Sequence, residues 1–162
     1  MNKKYAIDTE ENKKFLKDMR DDLLKFGVNF PSPQGSAYYL GDDGTPWKDR
    51  NRETWMSGRM AHVYSLGKFL GFEKSDELIA QAIKGLTGEL EDKENGGWYA
   101  GITADGEIVE GKQCYAHAFV ILAAASSKIA GNKEAEDLLE RAIRLYDLRF
   151  WNEEEGLSCD TW

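Results

Sequence analysis

The chain has 162 residues, which is long enough to bury a hydrophobic core as a single domain over residues 1–162. Its content of 41% hydrophobic and 31% charged residues is ordinary for a globular protein. The formal charge is −8 and there is no block of Lys and Arg, so we expect no nucleic-acid partner. The N-terminus reaches Asp8 after only three apolar positions, which is too short an apolar stretch for a signal peptide. We therefore expect a cytoplasmic protein without a membrane segment.

Metal-binding and disulfide patterns are sparse. Cys114 and Cys159 are the only cysteines, they form no C-x-x-C motif, and the only histidines are His62 and His117. The sequence predicts two free thiols in a reducing compartment, with no metal and no cofactor.

Five segments are predicted to be helices. The first runs from about Glu10 to Phe26, behind Thr9 as N-cap and with two acidic residues in its first turn. The second (about 53–70) and the fourth (about 114–129) are apolar on nearly every side, as buried helices are. The third (about 75–90, capped by Ser75) and the fifth (about 133–150) carry one apolar face each. The order is therefore outer, inner, outer, inner, outer. The apolar stripe of the first helix consists of Phe15, Leu16, Met19, Leu23 and Leu24.

An internal repeat supports this order. Gly71, Leu78-Ile79 and Ala82-Ile83-Lys84 recur sixty positions later as Gly131, Leu138-Leu139 and Ala142-Ile143-Arg144. Each unit has one inner helix, a short turn at glycine and one outer helix. Longer connections rich in Gly and Trp join the units, and the one around Asp105-Gly106 is predicted to be a β-hairpin.

Such units can stack as an open solenoid or close as a ring. A ring is favoured because the connections are long and aromatic on one side, and because inner helices that are apolar all round need a neighbour on each flank. The sequence ends at Trp162, in a connection that no helix follows, so we expect that the chain is cut within a repeat.

Two stretches resemble a known family. They are the run from Trp55 to Leu66, WMSGRMAHVYSL, and the set Gly96-Gly97-Trp98-Tyr99, Asp105-Gly106, Lys112 and Tyr115-Ala116-His117-Ala118-Phe119. Together they resemble the N-acylglucosamine 2-epimerase superfamily, and the first is most similar to its mannose and sulfoquinovose isomerase branch. The resemblance implies an all-α fold, a partial (α/α)6 barrel that holds about five of twelve helices and has short β-hairpin connections. It also implies a sugar isomerase or epimerase acting on a monosaccharide by general acid/base proton transfer.

Candidate substrate-binding residues lie on the two inner helices. Isomerising an aldose, or inverting C2, removes a proton alpha to a carbonyl, and a cation should stabilise the charge that develops on oxygen. Trp55, Arg59 and His62 are spaced to share one helix face, and Tyr115 opens the fourth helix. Arg59 either binds the sugar, as the resemblance implies, or pairs with a carboxylate of another helix. Trp55 and Tyr115 either contact the sugar or pack in the core.

His62 and His117 are also candidates for substrate binding, although a histidine on an apolar helix is more often a core residue with satisfied hydrogen bonds. The resemblance implies that the catalytic histidines lie in later helices, outside this chain, so the chain alone should be inactive. Two other functions remain open: a glycoside hydrolase-type barrel, which needs a pair of carboxylates, and a helical-repeat binding module. Exposed inner helices should also make the chain associate with itself.

Overall fold

The computed structural model describes residues 6–162. Within that range the number and order of the predicted helices are confirmed. The third helix ends earlier than predicted, at Thr87, with Gly88 as its C-cap. No helix in the described range is both long and apolar enough to cross a membrane. The helices are α1 (Glu10–Phe26), α2 (Thr54–Phe69), α3 (Ser75–Thr87), α4 (Cys114–Ile129) and α5 (Glu134–Arg149), and a 3-10 turn, Gly27–Asn29, follows α1.

Short antiparallel strands form in the three long connections. The predicted hairpin around Asp105-Gly106 is confirmed, and a strand from the first connection extends it to three strands, in the order β3, β4, β5. The other two strand pairs are β1 with β2 and β6 with β7. The strands are β1 (Tyr39–Leu40), β2 (Pro46–Trp47), β3 (Arg52–Glu53), β4 (Gly101–Ile102), β5 (Ile108–Val109), β6 (Trp151–Asn152) and β7 (Leu157–Ser158).

The two inner helices, α2 and α4, pack side by side, with α3 against α2 and α5 against α4. A cluster of buried residues has members from all five helices, among them Leu24, Tyr64, Ile83, Val120 and Leu138. The turns that separate inner from outer helices use Gly71 and Gly131, both with positive φ, a conformation that costs little only for glycine. The repeat seen in the sequence is thus a repeat of helix pairs.

Local predictions at the helix ends had mixed outcomes. Thr9 caps α1 as predicted, since its hydroxyl accepts the Asn12 amide at 3.3 Å. The prediction that Ser75 caps α3 is wrong, because Lys74 is the N-cap and Ser75 lies in the first helical turn. There its hydroxyl is buried without a hydrogen-bond partner among the described residues.

Several apolar surfaces are uncovered within residues 6–162. Leu24 is the one buried member of the predicted α1 stripe. The expectation that each inner helix has a neighbour on both flanks is met on one flank, where α2 and α4 pack against each other, with α3 also packed on α2 and α5 on α4. Large aliphatic and phenylalanine side chains exposed on α2 and α4 include Val63, Leu66, Phe69, Leu122 and Ile129.

Candidate functional site

The starts of α2 and α4 approach each other closely because Gly58 has no side chain. A Cβ atom at Gly58 would lie 2.6 Å from the carbonyl oxygen of Phe119. This contact sets the distance between the two inner helices at one end of the pair. It brings the side chains that flank Gly58 on α2 against the first two turns of α4.

The first turn of α2 is held by both neighbouring connections. The Thr54 amide donates to the Ala100 carbonyl at 3.1 Å, and its hydroxyl donates to the Tyr99 carbonyl at 2.7 Å. The Ser57 hydroxyl accepts the Ala37 amide at 2.9 Å. The turn that carries Trp55 is therefore fixed from two sides.

Arg59 lies at the centre of the resulting group. Its guanidinium carbon lies 4.6 Å from the ring centroids of both Trp55 and Phe119, and Nη2 donates to the Tyr115 hydroxyl at 2.8 Å. No carboxylate forms an ion pair with Arg59 within the described part of the chain. We call Trp55, Arg59, Tyr115 and Phe119 the rim cluster. The ion pair with an acid of another helix, the alternative for Arg59, is therefore not formed within residues 6–162.

Tyr115 places a polar group at the surface of the rim cluster. Its side chain is 53% exposed, and its ring centroid lies 5.0 Å from that of Phe119 and 6.3 Å from that of Trp55. Because its hydroxyl oxygen accepts from Arg59, its own proton is free to donate. The rim cluster thus offers an unpaired cation, a hydroxyl donor and aromatic faces, a combination suited to a polyhydroxylated ligand.

Tyr39 and Glu53 lie beside the rim cluster, and the sequence did not reveal them. The Tyr39 hydroxyl donates to the Glu53 carboxylate, and the Tyr39 ring meets Trp55 edge-on, with centroids 6.4 Å apart. Burial, reinforced by the hydrogen bond to the Glu53 carboxylate, raises the pKa of Tyr39 to about 12. The only sequence feature that could have indicated Tyr39 as a site residue is the pair of tyrosines, Tyr38 and Tyr39, in a Gly-rich connection.

Comparison with known proteins decides the family. A sequence model of the N-acylglucosamine 2-epimerase family matches residues 35–162. The chain belongs to the N-acylglucosamine 2-epimerase family. Among relatives in this family, a D-mannose isomerase of Thermobifida fusca is 33% identical over 141 residues, which is 86% of this chain. A D-mannose isomerase of Pseudomonas cannabina pv. alisalensis is 39% identical over 117 residues, which is 72% of this chain. These matches span 35% and 28% of the relatives' own lengths.

Solved structures of epimerase-family proteins share the fold. A crystal structure of D-mannose isomerase superposes with a TM-score of 0.83 at 23% identity, over 96% of this chain and 40% of that one. Cellobiose 2-epimerase from Spirochaeta thermophila gives a TM-score of 0.78 at 22% identity, over 95% and 41% of the two chains. The five helices therefore form part of an (α/α)6 barrel, as predicted.

His62 lies outside the rim cluster of this epimerase-family chain. Its Nδ1 lies 2.7 Å from the Ser126 hydroxyl, and Ser126 donates its own proton to the Leu122 carbonyl. Nδ1 of the neutral ring must therefore carry the proton and donate it to Ser126. His62 joins α2 to α4, one helical turn beyond Arg59.

His117 is fully buried, away from the rim cluster. Nδ1 donates to the Gln113 carbonyl at 2.8 Å, and Nε2 accepts the Trp98 amide at 3.1 Å. Burial, together with the positive charge of Lys112, lowers the pKa of His117 to about 4, although the Gln113 hydrogen bond acts in the opposite direction. With both ring nitrogens occupied and no exposed surface, His117 has no atom available to a ligand in this structure.

Proposed function

We propose that this chain contributes the sugar-binding corner of an aldose–ketose isomerase or 2-epimerase, and that Arg59, Trp55 and Tyr115 contact the sugar. The observation that carries the proposal is the unpaired guanidinium of Arg59. Arg59 is exposed, and its guanidinium is held by two aromatic faces and a hydroxyl rather than by a carboxylate of residues 6–162. Such an arrangement orients the cation and leaves most of its donors for a ligand.

In this proposal each residue of the rim cluster has a separate role. Arg59 donates to the sugar oxygen that becomes negatively charged when the proton at C2 is removed. Trp55 provides a wall for the sugar ring, and the free Tyr115 proton donates to a neighbouring hydroxyl. Neither histidine lies in the rim cluster, so we assign the proton transfer to no residue of this chain. We propose structural roles for His62 and His117 instead.

We propose D-mannose as the first sugar to test. The two relatives described above are named D-mannose isomerases, and one of the solved neighbours is a cellobiose 2-epimerase. Cellobiose serves as the comparison ligand, since preferential binding of the disaccharide would place the chain closer to the epimerases in specificity.

A cytoplasmic location is part of the proposal. Cys114 and Cys159 are both free thiols, as expected for a protein from a reducing compartment. Self-association is also proposed, because α1, α2 and α4 expose large apolar side chains, and contiguous exposed apolar surface favours contacts between chains.

Saturation-transfer NMR with D-mannose tests the proposed site. The Arg59→Ala variant should lose the transfer signal, because removing one charged donor costs about 1.5 to 3 kcal/mol of binding. Arg59→Lys should recover only part of it, since lysine keeps the charge but loses the planar fork. Arg149→Ala is the matched control, because Arg149 also lies over a tryptophan, Trp162, at 4.6 Å. Equal signals in the wild type and in Arg59→Ala would disprove the assignment.

A further inference from the structure

A second pair of polar side chains supports the rim cluster from the first connection. Tyr39 belongs to β1, and Glu53 is the last residue before α2. Their side chains are joined by the hydrogen bond from the Tyr39 hydroxyl to Oε2 of Glu53. The pair therefore ties the connection that precedes α2 to the start of the helix that carries Trp55 and Arg59.

Glu53 is fixed by its backbone as well as by this bond. It is the N-cap residue of α2, and its side chain makes no capping hydrogen bond. Its backbone pairs with Gly101 in the three-stranded sheet. The carboxylate is therefore available to Tyr39 while it stays at the positive end of the α2 dipole.

The contacts continue from this pair into the rim cluster. The Tyr39 ring meets the Trp55 ring at an interplanar angle of 70°. The Trp55 ring also contacts the Arg59 guanidinium, at 4.6 Å, and the Tyr115 ring, at 6.3 Å. Arg59 is in turn held by Tyr115. The orientation of the indole therefore depends on Tyr39 on one side and on Arg59 on the other.

We propose that Tyr39 and Glu53 are positioning residues, whose hydrogen bond holds the Tyr39 ring against Trp55 and thereby fixes the indole and the Arg59 guanidinium for sugar binding. This inference rests on the proposed function of Trp55 and Arg59. The tyrosine is the donor over the whole physiological range, since the pKa of Tyr39 is raised to about 12.

Three substitutions separate the hydrogen bond from its surroundings. Tyr39→Phe keeps the ring but removes the donor, and Glu53→Ala removes the acceptor. Glu53→Gln keeps an acceptor oxygen, so it should restore the behaviour of the wild type. Tyr38→Phe is the matched control, because it removes the hydroxyl of the adjacent tyrosine, whose ring lies 5.7 Å from the Arg52 guanidinium carbon. Tyr39→Phe and Glu53→Ala should each weaken D-mannose binding about fivefold, the usual worth of one hydrogen bond.

The readout is ¹⁹F NMR of the full chain labelled with 5-fluorotryptophan. The Trp55 resonance is identified by its loss in Trp55→Phe. In the absence of sugar, Tyr39→Phe and Glu53→Ala should shift or broaden that resonance, whereas Glu53→Gln and Tyr38→Phe should leave it in place. Circular dichroism checks folding, and if Tyr39→Phe does not fold, Glu53→Ala carries the same test.

Two results would overturn the inference. A lower melting temperature of Tyr39→Phe with an unchanged Trp55 resonance would show that the pair only anchors the connection. Weakened D-mannose binding in both Glu53 variants, with an unchanged Trp55 resonance, would show that Glu53 contacts the sugar directly. Failure of the proposed function is a separate result: D-mannose would then leave the wild-type Trp55 resonance unmoved, while the ligand-free spectra still decide the role of Tyr39 and Glu53.

Discussion

The burial of neutral His117 makes the stability of the chain dependent on pH. The pKa of His117 falls from its ordinary 6.5 to about 4 in the folded chain. Between these values the unfolded chain binds a proton that the folded chain excludes. The stabilisation is therefore complete above pH 6.5 and is lost as the pH falls towards 4. Since each pKa unit corresponds to about 1.4 kcal/mol, the loss amounts to roughly 3 kcal/mol, a large part of the stability of a small domain.

Urea denaturation followed by circular dichroism, from pH 7 down to pH 4, measures this loss. The His117→Gln variant should be less stable at pH 7, because it fits the Gln113 carbonyl and the Trp98 amide poorly, but its stability should decline less over the same pH range. Comparing this variant with the wild type removes the contribution of the carboxylates, which the two proteins share. Asp92 contributes at lower pH, because the Asn95 backbone amide and Lys112 hold its pKa well below the usual range.

A direct titration can refute this reasoning. The Cε1 proton of His117, followed by NMR in the folded chain, should show no midpoint above pH 5. A midpoint near 6.5 would mean that the ring is hydrated and that the buried hydrogen bonds to Gln113 and Trp98 do not hold in solution. An unchanged pH dependence in His117→Gln would lead to the same conclusion.

The remaining predictions concern packing, association and catalysis. Gly58→Ala should lower the free energy of unfolding by about 3 kcal/mol, the upper end for overpacking, because the new Cβ would meet the Phe119 backbone. Gly67→Ala should lower it less in the same urea titration, because a Cβ at Gly67 would meet only side-chain atoms. Sedimentation should show species heavier than the 18.3 kDa monomer, and the chain should bind ANS. Leu23→Glu, on the uncovered α1 stripe, should reduce both the association and the ANS binding. A clean monomer that binds no ANS would contradict this prediction. When the chain is incubated with D-mannose in D₂O, no deuterium should appear at C2 of the sugar, because neither histidine lies in the rim cluster. Deuterium incorporation above that of a heat-treated control, if it is abolished by His62→Ala, would show that His62 is the base.

The helices could be predicted because their signals are local. The 3.6-residue period places the apolar residues of α3 and α5 on one face, and Thr9 caps α1 through a contact within its own first turn. The spacing of Trp55 and Arg59 likewise puts both on one face of α2. The contact of Arg59 with Tyr115 joins residues 56 positions apart, and a shared site for them was predicted only through the resemblance to a family.

Features set by tertiary contacts were beyond the sequence. Tyr39 and Glu53 come from irregular backbone, which has no periodicity to indicate which way a side chain faces. The sequence left open whether each histidine binds the substrate or lies in the core, and for His117 it does not show that Gln113 and Trp98 occupy both ring nitrogens. Ser75 was predicted to be a cap from its residue type alone, whereas the backbone begins the helix one residue earlier.

A chemical-shift map of the isotope-labelled chain with D-mannose shows where the sugar binds. The largest changes should occur at the indole N–H of Trp55, the Nε–H of Arg59 and the amide of Tyr115. The same changes should be absent from the Arg59→Ala spectrum. The chain also has an open groove of about 590 Å³, lined by Asn29, Tyr38, Lys48 and Gln81. If the shifts cluster around that groove and the rim cluster stays unperturbed, the sugar binds elsewhere and the account is wrong.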